Sequence, residues 1–352
     1  ILHAWNWSFN TVIANLDDIK AAGYTAVQVS PIQVNKDLNG EYKTSDKWWI
    51  LYQPAGFKIG NKQLGSEEEF KTMCTKEKEK GIKIIVDTIV NHMGNNGDPN
   101  MPASEVEQID STLSFNNKEY WHVDNDGKLN VISDYNDRYD VTHNGVGLPD
   151  LNTSNKDLQV KIKNYLQKCL DDGADGFRFD TAKHVELPID SDSVKSDFWP
   201  SVLEGLTLSD GNGKPFVYGE VLQGGADNIS GYASYFDITA SNYGSDIRNT
   251  VGVGESAGTN LSKNFDNIKS YHVPTAIKSS QLVTWVESHD TYANDSGEST
   301  AMTDEEIKNG WAIVASRKDS TPLYFNRPAG RKKLLGNMGD AGNDNWKDPD
   351  VV

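Results

Sequence analysis

Cysteine is nearly absent: the 352 residues hold two, Cys74 and Cys169, without CxxC spacing and without a nearby His. Each falls on the apolar stripe of an expected helix, so both read as buried free thiols rather than as a disulfide or a metal site. No run of about 18 apolar residues occurs, which excludes a membrane-spanning helix. Basic residues are outnumbered, 34 Lys+Arg against 51 Asp+Glu, for a net charge of −17. That balance disfavours nucleic acid or an anionic surface as a partner and suits a neutral or cationic ligand. The N-terminal Ile1-Leu2-His3-Ala4-Trp5 carries no basic region or cleavage site, so any signal peptide is expected to be gone already. Internal repeats, low-complexity tracts and linkers are also lacking. What is present is core material, with 37% hydrophobic residues and nine Trp. The length suits two domains or one large barrel.

Strand-like and helix-like segments alternate. The expected strands are Leu2–Trp5, Ala26–Val29, Ile84–Val86, Gly176–Phe179, Phe216–Tyr218, Tyr235–Phe236, Leu282–Val286 and Pro322–Phe325. Between them lie amphipathic helices: Val12, Ile13, Leu16 and Ile19 after an Asn10 cap, and Leu158 to Cys169 before Gly173. Ser66 with Glu69, and Thr303 with Glu306, form capping boxes. Eight such units predict a parallel (β/α)8 TIM barrel. Residues 93–152, rich in Asn, Asp and Gly, are too long for a βα loop and are expected to form a small irregular inserted domain. The barrel would then comprise residues 1–92 and 153–352.

Barrel active sites form where strands end. Strand three ends in Asp87-Thr88-Ile89-Val90-Asn91-His92, strand four in Arg178-Phe179-Asp180, strand five in Gly219-Glu220 and strand seven in Glu287-Ser288-His289-Asp290. A single Asp after a strand commonly caps a helix. Three carboxylates (Asp180, Glu220, Asp290) at one rim are not explained by capping, because clustered like charges are costly. Glycoside hydrolysis needs such a set: one protonated carboxyl for the leaving oxygen, one carboxylate to attack or to activate water, and a third to stabilise developing positive charge. Arg178 would keep Asp180 ionised, and His92 and His289 could donate to sugar hydroxyls. Trp48-Trp49-Ile50-Leu51-Tyr52-Gln53, expected in a loop, offers faces for pyranose rings, although either Trp could equally be core.

These segments, with Leu148-Pro149-Asp150-Leu151-Asn152 as a fifth, resemble in order and spacing the signature regions of the α-amylase family (glycoside hydrolase family 13). Leu2-His3-Ala4-Trp5-Asn6-Trp7 and Ser320-Thr321-Pro322-Leu323-Tyr324-Phe325 resemble secreted bacterial members. The resemblance implies Asp180 as nucleophile, Glu220 as acid/base and Asp290 as transition-state stabiliser. It places His92, Arg178 and His289 around the sugar being cleaved, with Tyr52 stacking on it. Trp48, Trp49 and Gln53 would serve neighbouring glycone subsites, and Lys183, His184 and Leu222 the leaving side. It further implies retaining, endo-acting hydrolysis of α-1,4-glucosidic bonds in starch or maltooligosaccharides by a secreted monomer. A structural Ca²⁺ is implied on the side chains of Asn91 and Asp150 and the carbonyls of Thr142 and His184. Chloride dependence is not expected, because Ser288 and Pro322 replace the Asn and second Arg of chloride-binding members.

The family barrel closes with an eighth helix followed by a β-domain. Asp348-Pro349-Asp350-Val351-Val352 resembles only the first turn of that helix, so a fragment of a longer chain is expected. Within the family a transglycosylase or a maltogenic enzyme fits the same motifs. Outside it stand a non-catalytic glucan-binding protein, against which the three retained carboxylates argue, and a phosphate-binding barrel enzyme, for which a Gly-rich loop is lacking.

Overall fold

The computed structural model describes residues 1–252, 265–329 and 336–352. Eleven strands occur among them: β1 Leu2–Ala4, β2 Ala26–Val29, β3 Gln33–Asn35, β4 Pro54–Ile59, β5 Lys83–Thr88, β6 Gly176–Phe179, β7 Phe216–Gly219, β8 Asp237–Thr239, β9 Leu282–Thr284, β10 Thr321–Pro322 and β11 Tyr324–Phe325. All but β3 and β4 form one parallel sheet, in the order β10-β9-β8-β7-β6-β5-β2-β1-β11. Its two ends are one chain segment. Pro322 pairs with β9 and Tyr324 with β1, and between them Leu323 donates to the Thr284 carbonyl at 2.8 Å. The sheet therefore closes into the expected (β/α)8 barrel.

Period-2 alternation assigns the two faces of each strand. Val27, Val29, Ile84, Val86, Phe177 and Phe179 point outward into the main core under the helices. Ala26, Ile85, Tyr218, Val283, Trp285 and Leu323 fill the barrel interior as a separate cluster. Both capping boxes form, on the helices Glu67–Lys80 and Asp304–Ser316. Cys74 and Cys169 are free and buried.

Several boundaries differ from expectation. The sixth strand begins at Asp237, because Tyr235 and Phe236 continue the turn after the helix Ile229–Tyr232, and the Phe236 ring packs edge-on to Trp199 at 4.7 Å. The first helix is two, Phe9–Ala14 and Leu16–Ala21, and its cap is Ser8 rather than Asn10. Ser45–Tyr52 is a 3₁₀ helix rather than a loop, seated beside an antiparallel β3–β4 hairpin. Between β5 and the helix Lys156–Asp171 the chain runs irregularly, with six-residue helices at Ser104–Ile109 and Arg138–His143 that are too short for periodicity to show. The C-terminal segment forms a 3₁₀ turn, Asp344–Lys347. Buried Trp346 and Val351 take hydrogen bonds on their carbonyls from Tyr24 and Trp311.

The register across β5, β6 and β7 sets the site. Asp87 lies beside Arg178, and Arg178 beside Tyr218, all facing inward. Gly176 permits this register, since a Cβ there would stand 2.2 Å from the Phe216 carbonyl oxygen. Gly176→Ala should therefore force β6 from β7 and lower stability by about 2 kcal/mol or more, read as a lower urea midpoint at unchanged m-value. An unchanged midpoint would mean that the two strands can part without loss.

Candidate active site

Arg178 is the centre of the rim. Its Nη1 donates to Asp87 Oδ1 at 2.8 Å and to Asp180 Oδ1 at 2.7 Å, and its Nη2 lies 3.1 Å from Glu220 Oε2. All four side chains are buried. Two strands carry the carboxylates to this point: Asp180 follows β6 directly, and Glu220 follows β7 one register step away. Thr181 then takes the left-handed conformation at φ 48°, costly for a β-branched residue. That turn aims its backbone N–H at Glu220 Oε2, 2.9 Å away. Asp290 lies on the short helix His289–Ala293 and accepts from Asn294 at 3.0 Å.

The electrostatics separate these groups. Burial pushes Glu220 above the usual carboxylate range, Arg178 pulls it down and Asp180 pushes it up again. Asp290 is held well above that range by burial and by Glu220. Burial outweighs Arg178 at Asp87 and lifts it to about 7. Burial and the neighbouring carboxyls thus favour a proton on Glu220 and on Asp290.

A cleft of about 840 Å³ opens over this cluster. Every residue expected to catalyse or to contact sugar lines it: Trp48, Trp49, Tyr52, Gln53, His92, Arg178, Asp180, Lys183, His184, Glu220, Leu222, His289 and Asp290. Their roles are not all as expected. The Tyr52 ring already stacks on His289 at 4.9 Å, and its hydroxyl donates to Asp87 Oδ2 at 2.8 Å. Trp48 packs edge-on against Tyr52 and His289, while Trp49 is less buried and borders a second cavity. His92 donates from Nε2 to the Tyr52 carbonyl at 3.1 Å, so in its neutral form Nδ1 accepts rather than donates. Burial lowers the pKa of His92 and, further, that of His289, which favours neutral rings. His92 Nδ1 and Gln53 Oε1 find no hydrogen-bond partner among the described residues. Lys183 donates to the Gly224 carbonyl at 3.0 Å, and Leu222 is exposed.

Asp87 lies beneath the cleft's charged residues with no local sequence sign of its role, and His3, Gln28, Tyr218 and Trp285, equally unmarked, line the cleft.

The sequence matches the "Alpha amylase, catalytic domain" family over residues 8–236. The chain belongs to the alpha-amylase family. It is 41% identical, over its whole length, to 42% of an alpha-amylase from Clostridium acetobutylicum. It is 38% identical, again over its whole length, to 37% of an alpha-amylase from Butyrivibrio fibrisolvens. The chain thus spans less than half the length of these relatives. In fold it resembles alpha-amylase I of Eisenia fetida (TM-score 0.73, 20% identity, 98% of this chain and 69% of that one).

The residues expected to hold calcium make contacts in two pairs. Asn91 Nδ2 donates to Asp150 Oδ1 at 3.0 Å, and His184 Nδ1 donates to the Val141 carbonyl at 2.9 Å, beside Thr142. The expected donors, two side-chain oxygens and two carbonyls, are all hard oxygen ligands, the chemistry that suits Ca²⁺. Asp150 additionally accepts from His122 Nδ1 at 2.7 Å. Burial lifts Asp150 to about 7, with His122 opposing; burial disfavours the His122 cation, but Asp150 and Glu186 outweigh it and raise that ring to about 10.

Tyr52→Phe tests the buried cluster by pH. It removes a donor from Asp87 without changing ring area, which costs about 2 kcal/mol while Asp87 is ionised. With Asp87 held near 7, the loss should be full at pH 8 and shrink towards pH 5, where the folded state carries a neutral acid. Urea unfolding at both pH values measures it, and equal losses would exclude Asp87 as the partner that matters.

Proposed function

We propose that this chain is the catalytic part of an endo-acting α-amylase that cleaves internal α-1,4-glucosidic bonds in starch and maltooligosaccharides with retention. The observation that carries this is the convergence of Asp180 and Glu220 on one buried guanidinium, with Asp290 lining the same aromatic-sided cleft. Its relatives' names agree with it.

Asp180, oriented by its hydrogen bond from Arg178 Nη1, attacks the anomeric carbon. Glu220, whose proton burial favours, passes that proton to the glycosidic oxygen as the bond breaks. The leaving glucan departs as an alcohol and a glycosyl ester remains on Asp180. Glu220, now a carboxylate, takes a proton from water as that water displaces Asp180, restoring both groups. Asp290 faces the oxocarbenium-like state, whose developing positive charge favours its ionised form and is offset by it. His92 Nδ1 accepts from a sugar hydroxyl, Gln53 supplies a further acceptor, and exposed Leu222 with Lys183 and His184 receives the leaving side.

Ca²⁺ on Asn91, Asp150 and the carbonyls of Thr142 and His184 would tie the irregular segment to the barrel. Bound only by the folded state, it would stabilise that state by mass action. Chloride has no role in this scheme: all of the Arg178 contacts described go to carboxylates, and neither Ser288 nor Pro322 adds positive charge.

The experiment is product analysis on soluble starch by chromatography and anomer-resolved NMR, with chloride present and absent. Expected are rapid thinning, short α-configured maltooligosaccharides and the same kcat in both buffers. Asp180→Asn should lower kcat by at least about a thousandfold while still binding glucan. Added calcium should restore the Tm lost on chelation. Transfer products instead of free sugars would favour a transglycosylase, and no turnover would favour a binding protein. Asp180→Asn retaining a tenth of kcat would remove it as nucleophile.

A further inference from the structure

Behind the cleft, the irregular segment and the loop after β6 bring together His122, His143 and Glu186. One ligand-capable atom from each lies within 4.8 Å of the other two. The proton arrangement around them is informative. His122 Nδ1 donates to Asp150 Oδ2 at 2.7 Å, so the neutral ring presents its Nε2 lone pair. Thr142 Oγ1 gives its own proton to the Arg138 carbonyl at 2.8 Å and therefore accepts from His143 Nδ1, also at 2.8 Å. The neutral His143 ring is thus left with a lone pair on Nε2 as well.

Glu186 is fully buried, and Thr153 donates to its Oε2. Its Oε1 lies 3.2 Å from His122 Nε2, but the pair is not aligned as a hydrogen bond. A metal ion bound here would displace the His122 Nε2 proton, so that all three atoms face it.

We propose that His122, His143 and Glu186 bind a borderline divalent cation, zinc in the first instance, separate from the oxygen-donor calcium site next to it. Two imidazoles and one carboxylate suit Zn²⁺ better than Ca²⁺. Each ring already has the outer oxygen partner that zinc-binding histidines use to fix their tautomer: Asp150 for His122 and Thr142 for His143. Tyr139 stacks on His143 at 4.2 Å and limits its rotation. Ligand atoms around tetrahedral zinc stand roughly 3.3 Å apart, so from separations within 4.8 Å the side chains need to close by at most about 1.5 Å. Water would complete the coordination. The two sites would share Asp150, which would bind calcium directly and orient His122 towards zinc. This ion would thereby link the irregular segment to the barrel at a second point.

The test uses the full chain, stripped by chelator and resaturated with calcium. Titration with Zn²⁺ by calorimetry should then show one further ion per chain. Co²⁺ in its place should give the intense visible bands of a four-coordinate ion. His143→Ala, at a half-buried position, should weaken Zn²⁺ binding by roughly 100-fold or more and abolish the Co²⁺ bands while calcium content stays constant. Glu186→Gln should act in the same direction. Zn²⁺ uptake only when calcium is withheld, unchanged affinity in a folded His143→Ala variant, or six-coordinate Co²⁺ spectra in the unsubstituted protein would each overturn the proposal.

Discussion

One buried guanidinium organises the active end of this barrel. Arg178 holds Asp87 and Asp180 through one nitrogen and meets Glu220 through the other, within a rim that burial has stripped of water. Without it, the carboxylates of three strands would repel one another in a low-dielectric setting. With it, they can share one small volume and still differ in protonation. The cost of assembling them is met elsewhere, by the outward-facing apolar residues of the same strands and the helices packed on them. The barrel supplies the order in which the charges meet: neighbouring strands place Asp87, Arg178 and Tyr218 side by side.

The aromatic wall belongs to the same construction. Tyr52 stacks on His289 and donates to Asp87, so the ring expected to lie under the substrate also holds the floor together. Its place depends on the 3₁₀ helix Ser45–Tyr52, which the β3–β4 hairpin flanks. Cleft wall and charge cluster are mechanically joined, and a change in either should be felt by the other.

Much of this was legible in the sequence. Short apolar runs ending in Asp, Glu or His located the barrel strands, because a parallel strand buried on both faces has little else in it. Two-residue alternation placed Arg178 and Asp180 on one side. The β3–β4 hairpin was not legible: β3 has three residues, and β4 opens on Pro54 with Gly56 inside it. The sixth strand was misplaced by two aromatics, Tyr235 and Phe236, whose hydrophobicity serves helix packing rather than the sheet. The Asp87 contacts were hidden for a different reason. Its partner is set by which strands are neighbours, and that information is absent from local pattern. His122, His143 and Glu186 lie in three separate segments with no ligand spacing, so only the fold brings them together.

Arg178 opposes burial at Asp87 and Glu220 and so sets how readily they hold a proton. Carbon-13 NMR of labelled carboxyl groups, assigned through Glu220→Gln, measures it directly. Glu220 should titrate above the ordinary 4.5 in the unsubstituted protein. In Arg178→Gln it should move higher still, because a compensating positive charge has been removed while burial and Asp180 remain. A Glu220 titration at or below 4.5, or one that does not respond to the loss of Arg178, would contradict the account.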